Sequence, residues 1–257
     1  MNWMMLSFVA ASQWYAAACP VDWELKPPAF QTAKKRLAHL YQAEQWTQTF
    51  YCGCDFSPES GRVWLDRCDL KSDSSRATQL EWEHIVPASL LGHRNWKTAE
   101  FAAQCVRSKD QSHCIAQLRR TNNRALSSPY NLVPSSGAVN LARGNREMVE
   151  LAPGAQGHTL CSLNLSTSRQ SVEPIGPLKG RVARTYLSAS QAFPEQKLLS
   201  VEAKQRFEAW SQKYPASDAE CRWAEKIEQE TCLSNPFWDK VCAGKRRANK
   251  RPPQATP

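Results

Sequence analysis

The segment Glu81-Trp82-Glu83-His84-Ile85-Val86-Pro87 places two carboxylates and an imidazole beside apolar residues of strand-forming type. Imidazole exchanges protons near neutral pH, so a histidine here is equipped to take a proton from water. A carboxylate is a hard oxygen donor for a cation such as magnesium. Asn131 and Asn140 follow about fifty residues later, and an amide oxygen is a second hard donor, without charge. A lone histidine in such a run is more often structural; the company of acids and amides is what turns the reading towards chemistry.

These residues need elements to position them. Residues 80–91 read as a strand ending near Pro87, and residues 129–135 as a second strand. Ser136 then caps a helix beginning near Gly137 and running through Asn140 to about Met148. Strand, long loop, strand, helix is the skeleton of a ββα-metal nuclease site, in which the first strand presents the base and the helix a metal ligand. Neighbours on a regular strand point to opposite faces, so Glu83 and His84 share one site only if the strand ends or bulges there.

Elsewhere the chain reads as one domain of mixed α+β type, a small sheet with surrounding helices. Pro27 and Pro28 precede a helix marked by Ala33, Leu37, Leu40 and Tyr41. Residues 50–55 read as a short strand or turn, 93–128 as a long irregular stretch, and 153–180 as loops. Helical stripes follow: Val182, Tyr186 and Phe193; then Leu199, Ala203, Phe207, Trp210 and Tyr214; then Cys221, Ala224 and Ile227. Their default reading is core. Residues 243–257 read as a basic, disordered tail.

Charge and cysteine usage limit the function classes. Lysine plus arginine is 33 against 24 acids in 257 residues, a net charge of +9 that suits a polyanionic partner. No apolar run approaches the roughly 20 residues of a membrane span. Ten cysteines without a CxxC pair read as disulfides, and hence as a periplasmic or secreted protein. Residues 1–18 carry no charged side chain and end in Ala16-Ala17-Ala18, which fits a signal peptide that lacks the usual basic start. Cleavage there leaves Cys19 first; a lipid anchor on it ranks below plain cleavage.

The chain resembles the endonuclease I family of bacterial periplasmic and secreted nucleases. The resemblance is carried by FYCGCD at 50–55, EWEHIVPA at 81–88 with Gly92-His93, NLVPSSGAVNLARGN at 131–145, and GRVARTYL at 180–187, within a span of residues 26–242. It implies a ββα-metal (His-Me finger) site that cuts DNA, and usually RNA, with little sequence preference and one divalent ion. By that resemblance His84 is the general base, Glu83 and Asn140 hold magnesium, and the products carry 5′-phosphate and 3′-hydroxyl. Glu81 reads either as a residue that supports the metal site from behind or as a solvated carboxylate, and Asn131 as one that fixes the site through hydrogen bonds rather than touching metal. The family's phosphate-holding arginine stands before the second cysteine of a Cys-x8-Cys pair, where this chain has Gln111; Arg107, Lys109, Arg119, Arg120 and Arg124 are the candidate replacements. Trp82 is a candidate for stacking on a base, against a bland reading of packing under the strand.

Cys52, Cys54, Cys68, Cys105, Cys114, Cys161, Cys221 and Cys242 fall where the family has cysteines, with 54–68, 105–114 and 221–242 the preferred pairs. Cys19 and Cys232 are additional and could pair. The expected protein is a monomer with no stable protein partner. One rival is an exported, disulfide-rich nucleic-acid-binding protein without catalysis. A second is a zinc hydrolase using His84 and His93, which lacks an HExxH motif. His39, His113 and His158 read as surface or structural.

Overall fold

Short amphipathic segments separated by Pro and Gly fold into helices packed around small sheets. In the computed structural model, residues 22–23, 25–91, 102–168 and 170–249 are described. The expected signal peptide (1–18), Cys19, His93 and the last residues of the basic tail lie outside them. Among the described residues the helices are α1 (Phe30–Ala43), α2 (Gln111–Leu126), α3 (Gly137–Arg143), α4 (Leu178–Ala192), α5 (Val201–Lys213), α6 (Asp218–Thr231) and α7 (Pro236–Asn249). The strands are β1 (Phe56–Ser57), β2 (Arg62–Val63), β3 (Leu80–His84), β4 (Leu132–Ser136), β5 (Glu147–Met148), β6 (Gly157–Leu160), β7 (Leu163–Ser166) and β8 (Ser171–Pro174). The fold is α+β, and none of these helices is long and apolar enough to cross a membrane.

The centre of the molecule is the antiparallel pair β3–β4, in register from Leu80 opposite Ser136 to His84 opposite Leu132. Helix α3 follows β4 without a loop. The FYCGC segment docks at β4, where the Phe50 amide donates to the Pro134 carbonyl at 2.8 Å. Helix α1 covers the other side through Tyr41 and Phe30. Trp223 on α6 donates to the Tyr41 hydroxyl at 3.1 Å and so ties α1 to the C-terminal helices. The expected stripes are core: Tyr186 stacks on Phe207 at 4.5 Å, and Cys221, Ala224 and Ile227 are buried.

Several expectations fail for physical reasons. Residues 111–126 are helical where an irregular stretch was expected. Asp110 caps that helix by accepting from the His113 amide, and its buried residue is Ala125, so no apolar stripe betrays it. Residues 153–180 hold three strands of a four-stranded sheet, ordered β5-β8-β7-β6, rather than loops alone. Helix α3 stops at Arg143 because Gly144 turns to φ +51°, and Met148 enters a strand. Ser136 does not cap that helix; its hydroxyl donates to the Ala77 carbonyl. Helix α7 continues to Asn249, so the basic tail starts as helix.

Disulfides 54–68, 105–114 and 221–242 form as preferred, and Cys52–Cys161 adds a fourth among the described residues. That last bond joins segments 109 residues apart, a pairing that spacing does not reveal.

Candidate active site

Alternation along β3 sends Trp82 and His84 to one side and Glu81 and Glu83 to the other. On the first side, Trp82 meets Tyr41 edge-on at 5.3 Å, so its ring is packed into the helix contact. The His84 ring lies 5.2 Å from the Phe30 ring. His84 Nε2 stands 2.8 Å from the carbonyl oxygen of Leu126, the last residue of α2. A carbonyl only accepts, so Nε2 carries the proton and the lone pair of the neutral ring resides on Nδ1. Helix α2, unread in the sequence, thus sets the tautomer of the candidate base.

On the second side the two acids meet α3. Asn140 Nδ2 donates to Glu81 Oε2 at 2.8 Å, and Arg76 grips the same carboxylate through Nε at 2.6 Å and Nη2 at 2.9 Å. Partial burial opposes the charge on Glu81, but Arg76, Asn140 and Lys34 outweigh it and hold the carboxyl below its usual range. With its NH2 group committed to Glu81, the Asn140 amide has its oxygen directed elsewhere. Gly137 makes this contact possible. A Cβ there would stand 2.6 Å from Glu81 Oε1 and 2.7 Å from the Arg76 carbonyl oxygen. Gly137→Ala is therefore expected to lower stability by about 1–3 kcal/mol through overpacking, read as a lower urea midpoint. A wild-type midpoint would contradict the close approach.

Glu83 is 4% exposed. Its Oε1 accepts from the Tyr51 hydroxyl at 3.1 Å and pairs with Arg143 at 3.0 Å. Burial pushes its carboxyl up to about 7, against the pull of Arg143 and Tyr51. Arg143 also donates to the carbonyls of His84 and Ile85, so one guanidinium holds both the acid and the backbone of the base. Asn131 closes the next turn: its Oδ1 accepts from the Val86 amide at 2.7 Å and its Nδ2 donates to the Val86 carbonyl at 2.8 Å.

The strand ends at His84, as a shared site requires, yet the direct contacts it makes are Glu81 with Asn140 and Glu83 with Arg143. Arg107 and Lys109 are exposed between Cys105 and Cys114, and Arg119 and Arg120 are exposed on α2. Arg124 lies over the Phe193 ring at 5.5 Å, beside a cleft of about 540 Å³. Gln111 turns its amide to the Val106 carbonyl. Sequence reasoning missed Arg76, Arg143, Tyr51, Phe30 and Lys34. Gly137 was the available signal for Arg76, since a glycine opening a helix marks a close approach.

The oxygen donors at hand are the Asn140 amide on α3 and the Glu81 and Glu83 carboxylates on one face of β3, a hard set in kind; Glu81 holds the Asn140 NH2 group and Glu83 is buried against Arg143. Among the described residues no group of three His, Cys, Asp or Glu converges on one point, and His93 lies outside them.

Comparison with known proteins agrees with this architecture. The family model described as endonuclease I matches residues 25–242. A periplasmic deoxyribonuclease of Aeromonas hydrophila is 32% identical over 218 residues, covering 83% of this chain and 86% of the relative. An extracellular deoxyribonuclease of Aeromonas hydrophila is 29% identical over 229 residues, covering 86% and 94%. Endonuclease-1 of Buchnera aphidicola subsp. Acyrthosiphon pisum is 28% identical over 202 residues, covering 73% and 75%. Such relatives, together with four disulfides among the described residues, place the protein outside the reducing cytoplasm, in the periplasm or beyond the cell. A family model that spans nearly the whole described chain, together with a relative at 32% identity over most of both sequences, shows that the chain belongs to the endonuclease I family.

Proposed function

We propose that this protein is a magnesium-dependent endonuclease that hydrolyses DNA, and RNA by the same backbone-directed contacts, with little regard to sequence. The observation that carries the reading is the His84 Nε2 contact with the Leu126 carbonyl, which assigns the basic nitrogen to Nδ1. The deoxyribonuclease relatives supply the substrate class.

Asn140 and Glu83 would hold the magnesium ion. Glu81, already neutralised by Arg76, sets the orientation of the Asn140 amide through its hydrogen bond. Burial pushes the Glu83 carboxyl up to about 7 against the pull of Arg143 and Tyr51, and a cation beside it would favour the ionised form. When bound, the ion would supply positive charge that stabilises the negative charge developing in the reaction. The protein's own part is proton transfer and positioning. His84 Nδ1 takes a proton from water as the water oxygen bonds to phosphorus. The bond from phosphorus to the 3′ oxygen breaks, and that oxygen acquires a proton from solvent. The strand then ends in a 5′-phosphate and a 3′-hydroxyl.

End-group analysis tests this outcome. Cleaved duplex should accept a labelled phosphate at its 5′ ends only after phosphatase treatment, and its 3′ ends should be extended by a polymerase without treatment. Products with 3′-phosphates would refute the proposed bond cleavage. Asn140→Ala is expected to raise the magnesium concentration needed for half-maximal cleavage by about tenfold or more. An unchanged magnesium titration would remove Asn140 from the cation site.

A further inference from the structure

Gln111 carries no charge and Arg76 has its guanidinium on Glu81, which leaves a place for a cation from another element near His84. Helix α1 presents one. Phe30 and Lys34 are one turn apart on the same face of that helix. The Lys34 amine lies 4.8 Å from the centroid of the Phe30 ring, and the same ring lies 5.2 Å from the His84 imidazole. The amine and the candidate base therefore both lie against one benzene ring. Lys34 also adds its charge, as the smallest contribution, to the pull that keeps Glu81 ionised. Among the described residues it makes no ion pair within 4.0 Å, and it is partly exposed. Its ordinary alternative is a lysine that covers Phe30 with its stem and leaves its charge to water.

We infer that Lys34 contacts a backbone phosphate within one nucleotide of the bond that is cut, an inference that rests on the nuclease reading above. A lysine that neutralises a phosphate releases a condensed counterion, so its removal changes how binding depends on salt. A lysine that only packs over Phe30 does not. The contact is to backbone and carries no base preference.

The test is duplex binding by the oxidised full chain carrying His84→Ala, followed by anisotropy of a labelled duplex across sodium chloride concentrations. Adding Lys34→Gln should reduce the slope of log affinity against log salt by about 0.9, and Lys34→Arg should restore it. With His84 intact, Lys34→Gln should lower kcat/KM by about tenfold while the circular dichroism spectrum stays that of the parent. An unchanged salt slope in Lys34→Gln overturns the assignment, whatever happens to turnover. Failure of the nuclease reading looks different. A His84→Ala parent that still cuts the duplex refutes the base assignment, and the same titration in EDTA then reads the lysine alone.

Discussion

His84→Ala should lower DNA cleavage by about 10²–10⁴-fold and leave duplex binding within about twofold of the parent. The imidazole is placed by three independent parts of the fold. β3 delivers it at its last residue, Phe30 supports its face, and the Leu126 carbonyl fixes the proton on Nε2. None of these contacts is with the backbone phosphates that dominate affinity, so binding survives the loss of the ring. His84→Gln is the informative companion. It keeps polarity and size near the Leu126 carbonyl but offers no base of useful strength, and it should be as inactive as alanine. Cleavage by either variant at the parental rate would remove His84 from the chemistry.

Arg143→Met carries the second large effect, an expected loss of about 3–5 kcal/mol of stability. Arg143 is 1% exposed and serves Glu83, the carbonyls of His84 and Ile85, and the Tyr186 hydroxyl. Methionine fills much of the volume but leaves the Glu83 carboxylate buried, with the Tyr51 hydroxyl still donating to it. The cost lies mainly in that stranded acid. Combining Arg143→Met with Glu83→Gln should therefore recover a large part of the loss, because both charges are then gone. Urea denaturation of the oxidised chains gives both numbers. A single-variant loss below about 1 kcal/mol, or strict additivity in the double variant, would contradict the argument. Activity should fall in both, since the backbone of His84 loses its donor.

How much of this was legible depends on what kind of signal each part carries. The β3–β4–α3 unit was visible because Trp82, His84 and the apolar run from Leu132 follow a strand pattern and Gly137 opens a helix. Helix α2 was not, because a helix that buries chiefly Ala125 shows no stripe, although it turned out to hold the carbonyl that orients His84. The strands at 157–174 are four residues each, too short for periodicity to declare itself.

The site was legible as a set of residue types and less so as a geometry. Glu83 and His84 are neighbours, yet they leave the strand on different sides. Arg76 and Arg143 read as ordinary charges in the sequence. Only three-dimensional placement shows one clasping Glu81 and the other buried beneath the strand end. Lys34 sits in the basic run Lys34-Lys35-Arg36, which from sequence is a solvated helix face.

The most direct measurement is conversion of supercoiled plasmid by the purified, oxidised protein, with magnesium and with EDTA. Open-circular and then linear DNA should appear with magnesium and disappear from the reaction when EDTA is present. Plasmid that is bound but stays supercoiled in magnesium would contradict the account and leave a nucleic-acid-binding protein without catalysis in its place.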